Sequence, residues 1–394
     1  MAAAAATLAQ QALDMATMAK SSADTTWVLT SAALVMIMTP ACGFFYAGTI
    51  EFKNSQHMVL LSLLCLAVVS IQWYVFGYSL SFSDVSPNNF IGDFSYAGLR
   101  GLFSGKSHPL APTIPAAAFM IYQCMFATVT PAIMVGSVAE RIRVGPFVLF
   151  CFLWTTIVYD FVAYWCWSPN GWLHVLGYQD FAGGQPVHSI AGWGGLAMTL
   201  VMGRRRTPNT TPHNLPLMAL GTVLLWFGWF GFNGGSALAM NQRAVIAAIN
   251  TNTAAAAGGM AWLFYDYRIH KKFTSLGFCS GAIAGLVAIT PGSGFTTPYY
   301  SIIFGVLGAV LGNHACFLKG QLGFDDTLDV FPVHGVAGMV GTILTGLLAY
   351  VFSLIPVLNL RTNEEDEAFG CDLTLLGEVA YDFSNSAPEA KEEN

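Results

Sequence analysis

The chain has 394 residues, of which 55% are hydrophobic and only 10% are charged, and its formal net charge is −6. Because an ordinary soluble domain has roughly 25% charged residues, this composition excludes a water-soluble globular protein and predicts an integral membrane protein. Much of the negative charge lies after Leu360, so the net charge says little about partners, and we expect no nucleic-acid partner.

Ten apolar runs follow one another along the chain, each near the roughly 20 residues that a helix needs to cross a bilayer. They cover residues 27–48, 58–80, 114–138, 145–167, 186–203, 215–235, 243–265, 277–291, 299–318 and 332–356. The eighth run is short and rich in glycine. None of them shows the alternation of apolar and polar residues that is typical of a barrel strand. The sequence therefore predicts an all-α polytopic membrane protein with ten transmembrane helices in one domain, residues 27–356.

Short segments flank this domain. Residues 1–26 contain no convincing signal peptide, because Asp14 interrupts them and no long apolar core precedes a cleavage site. We expect these residues to form a short, mobile, extracellular tail, and residues 357–394 to form an acidic C-terminal tail. The cysteines lie mostly inside the predicted spans and form no CxxC pair, so we interpret them as small apolar filler.

Lysine and arginine predict the orientation, because they are enriched in cytosolic loops. The loops after the odd-numbered spans hold ten basic residues, and the remaining loops hold three, Arg100, Lys106 and Arg243. We therefore expect a multi-pass protein of the plasma membrane with its N-terminus outside. The glycosylation motif at Asn209 then lies inside the cell, so we expect no glycan there.

A ten-residue motif occurs twice. PVHSIAGWGG begins at Pro186 and PVHGVAGMVG begins at Pro332, with six identical positions that include His188 and His334. The motifs open spans five and ten, and an odd number of spans separates them, so the two halves have opposite orientations. This pattern predicts inverted repeats, residues 27–203 and 215–356, whose sites form where the halves meet near the midplane.

A histidine inside a membrane is costly and suggests a function. Two neutral imidazoles in contact offer one donor and one acceptor nitrogen each, which suits a small neutral molecule or a proton relay. The alternatives are histidines that bond backbone carbonyls at helix starts, and a bis-histidine haem. The narrow, glycine-lined packing argues against space for a porphyrin.

Several other side chains are candidates for a site. Phe126 and Phe232 lie among Gly, Ala and Thr, which does not fit an interfacial belt. Trp167 ends span four on the outer side and can present its ring face to a weakly hydrated monovalent cation. Asp180 precedes span five, where we expect it to cap the helix, and Asp325, Asp326 and Asp329 precede span ten in the same way.

Five motifs resemble those of the ammonium transporter / methylammonium permease family, which is related to the Rhesus proteins, and in particular its fungal branch. They are AERIR (Ala139–Arg143), DFAGGQPVH (Asp180–His188), GWFGFNGGS (Gly228–Ser236), CSGAIAGLVAITP (Cys279–Pro291) and DVFPVHGVAG (Asp329–Gly338). The resemblance implies a homotrimer in the lipid bilayer, with a pore for ammonium or ammonia, and for methylammonium, through each subunit. It implies neither an enzyme nor a cofactor or metal.

The resemblance also implies a role for each candidate side chain. Trp167, Phe126 and Ser236 form the outer ammonium site, Phe126 and Phe232 form the gate, and His188 and His334 line the pore. Trp229 packs beside the histidines, Tyr46 lies near the lower pore, and Asp180 supports the outer site.

The sequence departs from the family at its end. Family members have an eleventh span, but here the acidic tail, which is cytosolic in the family, follows span ten directly. Either a segment is missing from this sequence, which we favour, or the chain is a genuine variant. Ammonium transport is the leading function, a membrane ammonium sensor is the alternative, and a bis-histidine haem electron carrier is the remote one.

Overall fold

The structure is a computed structural model that describes residues 2–206, 208 and 211–354. Within these residues the regular secondary structure is entirely helical and no strand forms. The α-helices are α1 (Ala2–Thr49), α2 (Ser55–Gln72), α3 (Tyr78–Phe82), α4 (Ala116–Val135), α5 (Val144–Trp154), α6 (Asp160–Trp167), α7 (Trp172–Val175), α8 (Ile190–Met202), α9 (Leu215–Gly235), α10 (Gln242–His270), α11 (Ser275–Ile289), α12 (Pro298–Leu322) and α13 (Ala337–Leu354). Four π-helical turns extend or join them, at Trp73–Gly77, Thr155–Tyr159, Gly184–Ser189 and Phe331–Val336.

The prediction of an all-α polytopic membrane protein is confirmed. Each of the ten predicted spans coincides with a helix, and eight helical segments of the described chain are long and apolar enough to cross a membrane. Predicted spans five and seven are also helical, as the turn Gly184–Ser189 continued by α8, and as α10. Residues 357–394, predicted to be an acidic tail, lie outside the described residues.

The first helix begins earlier than the sequence predicts. Residues 2–26, which we expected to form a mobile tail, continue α1 as one helix from Ala2. Alanine has the highest helix propensity, and the run of alanines after Met1 favours this extension. Near the start of the predicted span the helix is also held in place, because the buried carboxylate of Asp24 accepts a hydrogen bond of 2.8 Å from the backbone N–H of Met240.

Helices α1 and α9, the first of each predicted repeat, pack closely against each other. Gly221, Gly228 and Gly231 of α9 face α1, and a Cβ atom at each would collide with the backbone or side chains of α1. Small residues allow such close approach in a membrane, where helix association depends on van der Waals contact. Around this pair, α2 and α4 pack against α1, and α10 and α11 pack against α9.

The residues up to Gly346 form one compact unit, and a second unit begins at Leu347. The structure describes the second unit only as the last residues of α13. The central helices of the first unit are almost wholly buried: in α4, 17 of the 20 residues are buried. A functional passage is therefore to be sought beside α4 and the two repeated histidine motifs.

Candidate pore and outer binding site

Both repeated histidines lie in π-helical turns. His188 belongs to Gly184–Ser189 and His334 to Phe331–Val336, and each turn contains a proline two residues before the histidine. Proline lacks the N–H of a regular helix, and π-helical turns are frequent at functional sites. The sequence did not predict these turns, although the repeated Pro-Val-His was the signal for them.

Two of the four expected capping acids, Asp180 and Asp326, hold the starts of the turns, whereas the side chains of Asp325 and Asp329 form ion pairs with Arg205 and Lys319 instead. Asp180 accepts three backbone hydrogen bonds, from Gly183 and Gly184 at 2.8 Å and from Gln185 at 2.7 Å. In the other repeat, Asp326 accepts one from the N–H of Phe331 at 2.8 Å. The two acids thus have the same structural role, each eight residues before its histidine.

The backbone also repeats just after each acid. Gly183 and Asp329 lie at matching positions and have positive φ angles of 114° and 57°. The carbonyl of Gly183 accepts from the N–H groups of Val187 and His188, and that of Asp329 accepts from Val333. Aspartate adopts positive φ angles more readily than most residues, so the second repeat can have Asp329 where the first has Gly183.

The two motifs cross where both have small residues. A Cβ atom at Gly192 would collide with the backbone of Gly335, and one at Gly338 would lie 3.0 Å from Oγ of Ser189. The two contacts are equivalent under the inverted repeat, since each pairs the fourth residue after one histidine with the residue that follows the other. This crossing brings the imidazoles together.

The imidazoles meet at their Nδ1 atoms, which lie 3.3 Å apart, and both side chains are buried. His188 contacts two aromatic rings that also contact each other, with centroid distances of 5.1 Å to Trp229 and 5.6 Å to Phe232. Its Nε2 atom is buried and has no hydrogen-bond partner among the described residues. Trp229 is itself fixed, because its Nε1 donates to Oγ1 of Thr290 at 2.9 Å.

Both histidines line a central cavity of about 30 Å³, which has room for only a few water-sized molecules. Its remaining walls are mostly apolar and include Trp229, Phe232 and Tyr46. The hydroxyl of Tyr46 donates to the carbonyl of Ile133 at 2.8 Å and so does not require a ligand. The cavity is dry in character, and its free polar atoms come mainly from the histidines.

Phe126 and Phe232 separate this central cavity from a larger one outside. Their ring centroids are 4.2 Å apart at an interplanar angle of 32°, and both side chains are buried. Phe232 lines the central cavity and Phe126 lines the outer cavity. The pair thus lies between the two cavities, and we call the larger one the outer cavity after the orientation that the sequence predicts.

The outer cavity has a volume of about 520 Å³ and contains the predicted binding residues Trp167, Phe126 and Ser236. Trp167 lies edge-on to Phe126, with centroids 6.0 Å apart. Its Nε1 donates to the backbone carbonyl of Asp180 at 3.0 Å, which fixes the ring. Asp180 therefore connects the outer cavity to the turn that carries His188.

Tyr122 is a neighbour of this site that the sequence analysis did not identify. Its hydroxyl donates to the carbonyls of Gly231 and Phe232 and lies 3.2 Å from Oγ of Ser236. Ser236 in turn donates to the carbonyl of Phe232 at 2.8 Å. Because the hydroxyl proton of Ser236 is used in this way, its oxygen remains available as an acceptor.

A third cavity, of about 990 Å³, lies on the side of the basic loops. Phe45, Ser280 and Leu328 line both this cavity and the central one. The three cavities thus follow one another, with the phenylalanine pair and the histidine pair between the two wide ends.

The fold and the cavities define a polytopic helical membrane protein with a narrow passage beside two repeated histidine motifs. A sequence model of the Ammonium Transporter Family matches residues 26–354. The chain belongs to this family.

Individual relatives agree with that assignment. Ammonium transporter 1 of Schizosaccharomyces pombe is 43% identical over 417 aligned residues, which cover 93% of this chain and 84% of that protein. The ammonium transporter of Bacillus subtilis is 43% identical, covering 92% of this chain and 99% of that protein. The crystal structure of Candida albicans Mep2 is similar with a TM-score of 0.77 and 36% identity, covering 87% of both chains.

Proposed function

We propose that the protein transports ammonium, taking the cation at the outer aromatic cavity, removing a proton and passing ammonia along the histidine pair. The observation that carries this proposal is the order of the passage: a wide aromatic cavity, a closed phenylalanine pair, and a small cavity with two histidines. This order suits a substrate that enters the outer cavity as a cation and crosses the central cavity as a neutral molecule.

The outer cavity supports selection of a cation that donates hydrogen bonds. The ring face of Trp167 attracts a monovalent cation by about 0.5–2 kcal/mol, more as water is removed. Oγ of Ser236 accepts a hydrogen bond, which ammonium can donate and potassium cannot. The two ions have similar radii, so this hydrogen bond supplies the discrimination that size does not. Methylammonium retains N–H donors and is expected to be a substrate.

The phenylalanine pair and the central cavity favour deprotonation. An ion without hydrogen-bond partners is very costly in a dry, apolar space, whereas neutral ammonia costs far less. Ammonium therefore gives up one proton before ammonia enters the central cavity. Ammonia then forms hydrogen bonds with the free nitrogen atoms of His188 and His334, and the proton passes through the pair of imidazoles or by another route.

The setting of this activity is also part of the proposal. We infer a homotrimer in the plasma membrane with a passage in each subunit and the N-terminus outside. The excess of lysine and arginine in the loops after α1, α4, α8, α10 and α12 supports this orientation. A membrane ammonium sensor is the alternative, and we favour transport because relatives that match over most of this chain are ammonium transporters.

The remote alternative, a bis-histidine haem, does not fit the site. The two Nδ1 atoms are within hydrogen-bond distance of each other, and the cavity beside them has a volume of only about 30 Å³. An iron between two imidazoles needs about 2 Å on each side, and the porphyrin needs far more space than the cavity has.

The test is growth on low ammonium, together with uptake of labelled methylammonium, in cells that lack their own transporters. We expect growth and saturable uptake from the chain, or from a version with a restored eleventh span if the missing segment prevents assembly. Membrane-inserted, trimeric protein of both versions that gives neither growth nor uptake would contradict the proposal.

A further inference from the structure

A basic cavity of about 350 Å³ lies apart from the passage, on the same side as the third cavity, the one of about 990 Å³. Five basic side chains line it and come from three loops that are distant in sequence. They are Lys53, Arg141, Arg204, Arg205 and Arg206. We call this cavity the basic basin. Only two acidic side chains, Glu51 and Glu140, line it with them.

Arg205 forms hydrogen bonds that join the loops around the basin. Arg205 donates to both carboxylate oxygens of Asp325 at 2.9 Å and to Glu140 at 2.7 Å. Glu140 in turn accepts from the backbone N–H of Glu51 and from the side chain of Asn54. This buried network fixes the loops without any ligand, so the basin is preformed.

Two other arginines keep donors available. Arg204 makes a single hydrogen bond, from Nε to the carbonyl of Gly323 at 2.7 Å, and it has no acidic partner among the described residues. Arg206 is exposed and forms no ion pair within the described part of the chain. Two guanidinium groups beside a preformed basic cavity match the geometry of a phosphate group, which arginine binds through two parallel hydrogen bonds.

The position of the basin favours a ligand that belongs to the membrane. Leu200 and Val201, the two residues before the last residue of α8, have exposed fractions of 64% and 88%, as expected for side chains that face lipid. Gly203, with φ of 74°, turns the chain directly from this surface to Arg204. Clusters of four to eight basic residues next to the cytoplasmic end of a membrane helix are typical binding sites for anionic lipids.

We propose that the basic basin binds the phosphomonoester headgroup of an anionic lipid of the cytosolic leaflet. Arg204 and Arg206 contact the phosphate, and Met202 at the basin's edge contacts the glycerol and acyl region. The inference is independent of the transport mechanism, because none of these residues lines the central or the outer cavity.

The test measures lipid binding to the purified, detergent-solubilised chain, by native mass spectrometry with short-chain phosphatidylinositol phosphate and phosphatidylcholine. We expect selective retention of the phosphorylated lipid, and roughly tenfold or greater weakening in Arg204→Gln/Arg206→Gln. The matched control, Arg268→Gln/Lys272→Gln, removes two exposed charges from another basic loop and should bind as the unmodified chain does. Arg204→Lys/Arg206→Lys keeps the charge and should retain most of the binding.

Equal binding by the unmodified chain and Arg204→Gln/Arg206→Gln would overturn the proposal, as would equal losses in both double glutamine variants, which would indicate diffuse attraction. A soluble inositol phosphate distinguishes the source of the phosphate. Binding that requires the acyl chains supports the lipid assignment. Equally tight binding of the soluble compound would overturn that assignment in favour of a free phosphorylated metabolite.

Discussion

The Nδ1 atoms of His188 and His334 lie 3.3 Å apart although 146 residues separate them in the chain. A hydrogen bond at this distance needs one Nδ1 to carry a proton and the other to accept it. When the Nδ1 of His188 is the donor, its unpartnered Nε2 is an acceptor. The pair therefore leaves an acceptor for an N–H group of a molecule in the central cavity.

Replacement of His188 by alanine tests this arrangement. Loss of one buried hydrogen bond to the passing molecule costs about 1–1.5 kcal/mol, which predicts a roughly tenfold decrease in ammonium uptake. Discrimination against potassium should weaken as well, because the enlarged cavity accommodates water. His314→Ala, at an exposed position on α12, is the matched control. Unchanged uptake and selectivity in His188→Ala would contradict the relay.

The sequence predicted the helical bundle because the signals for it are spread over many residues. Apolar runs of about 20 residues and the repeated motif at Pro186 and Pro332 define spans and inverted halves without any tertiary information. It also predicted that Asp180 caps a helix start, because an acid just before a helix can accept hydrogen bonds from the free N–H groups there.

Other features depend on distant parts of the chain and were not predictable. The contact of Tyr122 with Ser236 joins α4 to the end of α9. The network of Arg205 with Glu140 and Asp325 joins three loops that no local pattern relates. The π-helical turns at Gly184–Ser189 and Phe331–Val336 do not follow from helix propensity, which does not distinguish an α-helical turn from a π-helical one.

The phenylalanine pair should act as a barrier to ions. Phe232→Ala removes one of the two rings that are 4.2 Å apart, so water and ions can reach the central cavity. We expect a leak of potassium or protons in liposomes that the unmodified chain does not show. Phe304→Ala, also fully buried but not lining a cavity of the passage, should share the cost of about 3–5 kcal/mol in stability without the leak. Tight liposomes with folded Phe232→Ala would argue against the gate.

The contact between the two crossing motifs should have no space for an added methyl group at Gly192. Gly192→Ala places a Cβ against the backbone of Gly335, which cannot move as a side chain can. Overpacking of this kind costs about 1–3 kcal/mol, so the melting temperature in detergent should fall. Gly320→Ala, where nothing lies within 4 Å, should leave stability unchanged or raise it by up to about 1 kcal/mol. Equal melting temperatures for both variants would show that the motifs do not cross as closely as described.

Asp180 should affect substrate affinity through the structure that it holds. Asp180→Asn replaces one acceptor oxygen by an NH₂ group facing backbone N–H donors, at a cost of about 0.5–2 kcal/mol. Because the carbonyl of Asp180 orients Trp167, the KM for methylammonium should rise more than the maximal rate falls. Asp93→Asn, also at an acid that accepts a backbone N–H, should leave KM unchanged. A fall in maximal rate alone would instead suggest a role for Asp180 within the passage.

The ion network around Arg205 should determine how stability depends on pH. Burial opposes ionisation of Asp325, but the hydrogen bonds and charge of Arg205 outweigh it, so its pKa is lowered. A lowered pKa means that the pair stabilises the fold above the ordinary value of about 3.9 and that this stability is lost only as pH falls further. The network itself should therefore cause no rise in melting temperature between pH 7 and pH 5, and a rise in the unmodified chain over this range comes from Asp326, whose pKa burial raises to about 6.

Arg205→Gln should add to the rise in melting temperature as pH falls. It leaves the carboxylates of Glu140 and Asp325, whose side chains are 7% and 14% exposed, without their main cation, at a cost of about 3–5 kcal/mol near pH 7. The pKa of Asp325 should then rise, because burial still raises it and the charge of Arg205 no longer lowers it, so protonation as pH falls relieves the repulsion and the melting temperature increases. Arg204→Gln, which loses one bond to a backbone carbonyl, should retain the behaviour of the unmodified chain. If Arg205→Gln melts with the same pH profile as Arg204→Gln, Arg205 does not hold the carboxylate of Asp325 ionised.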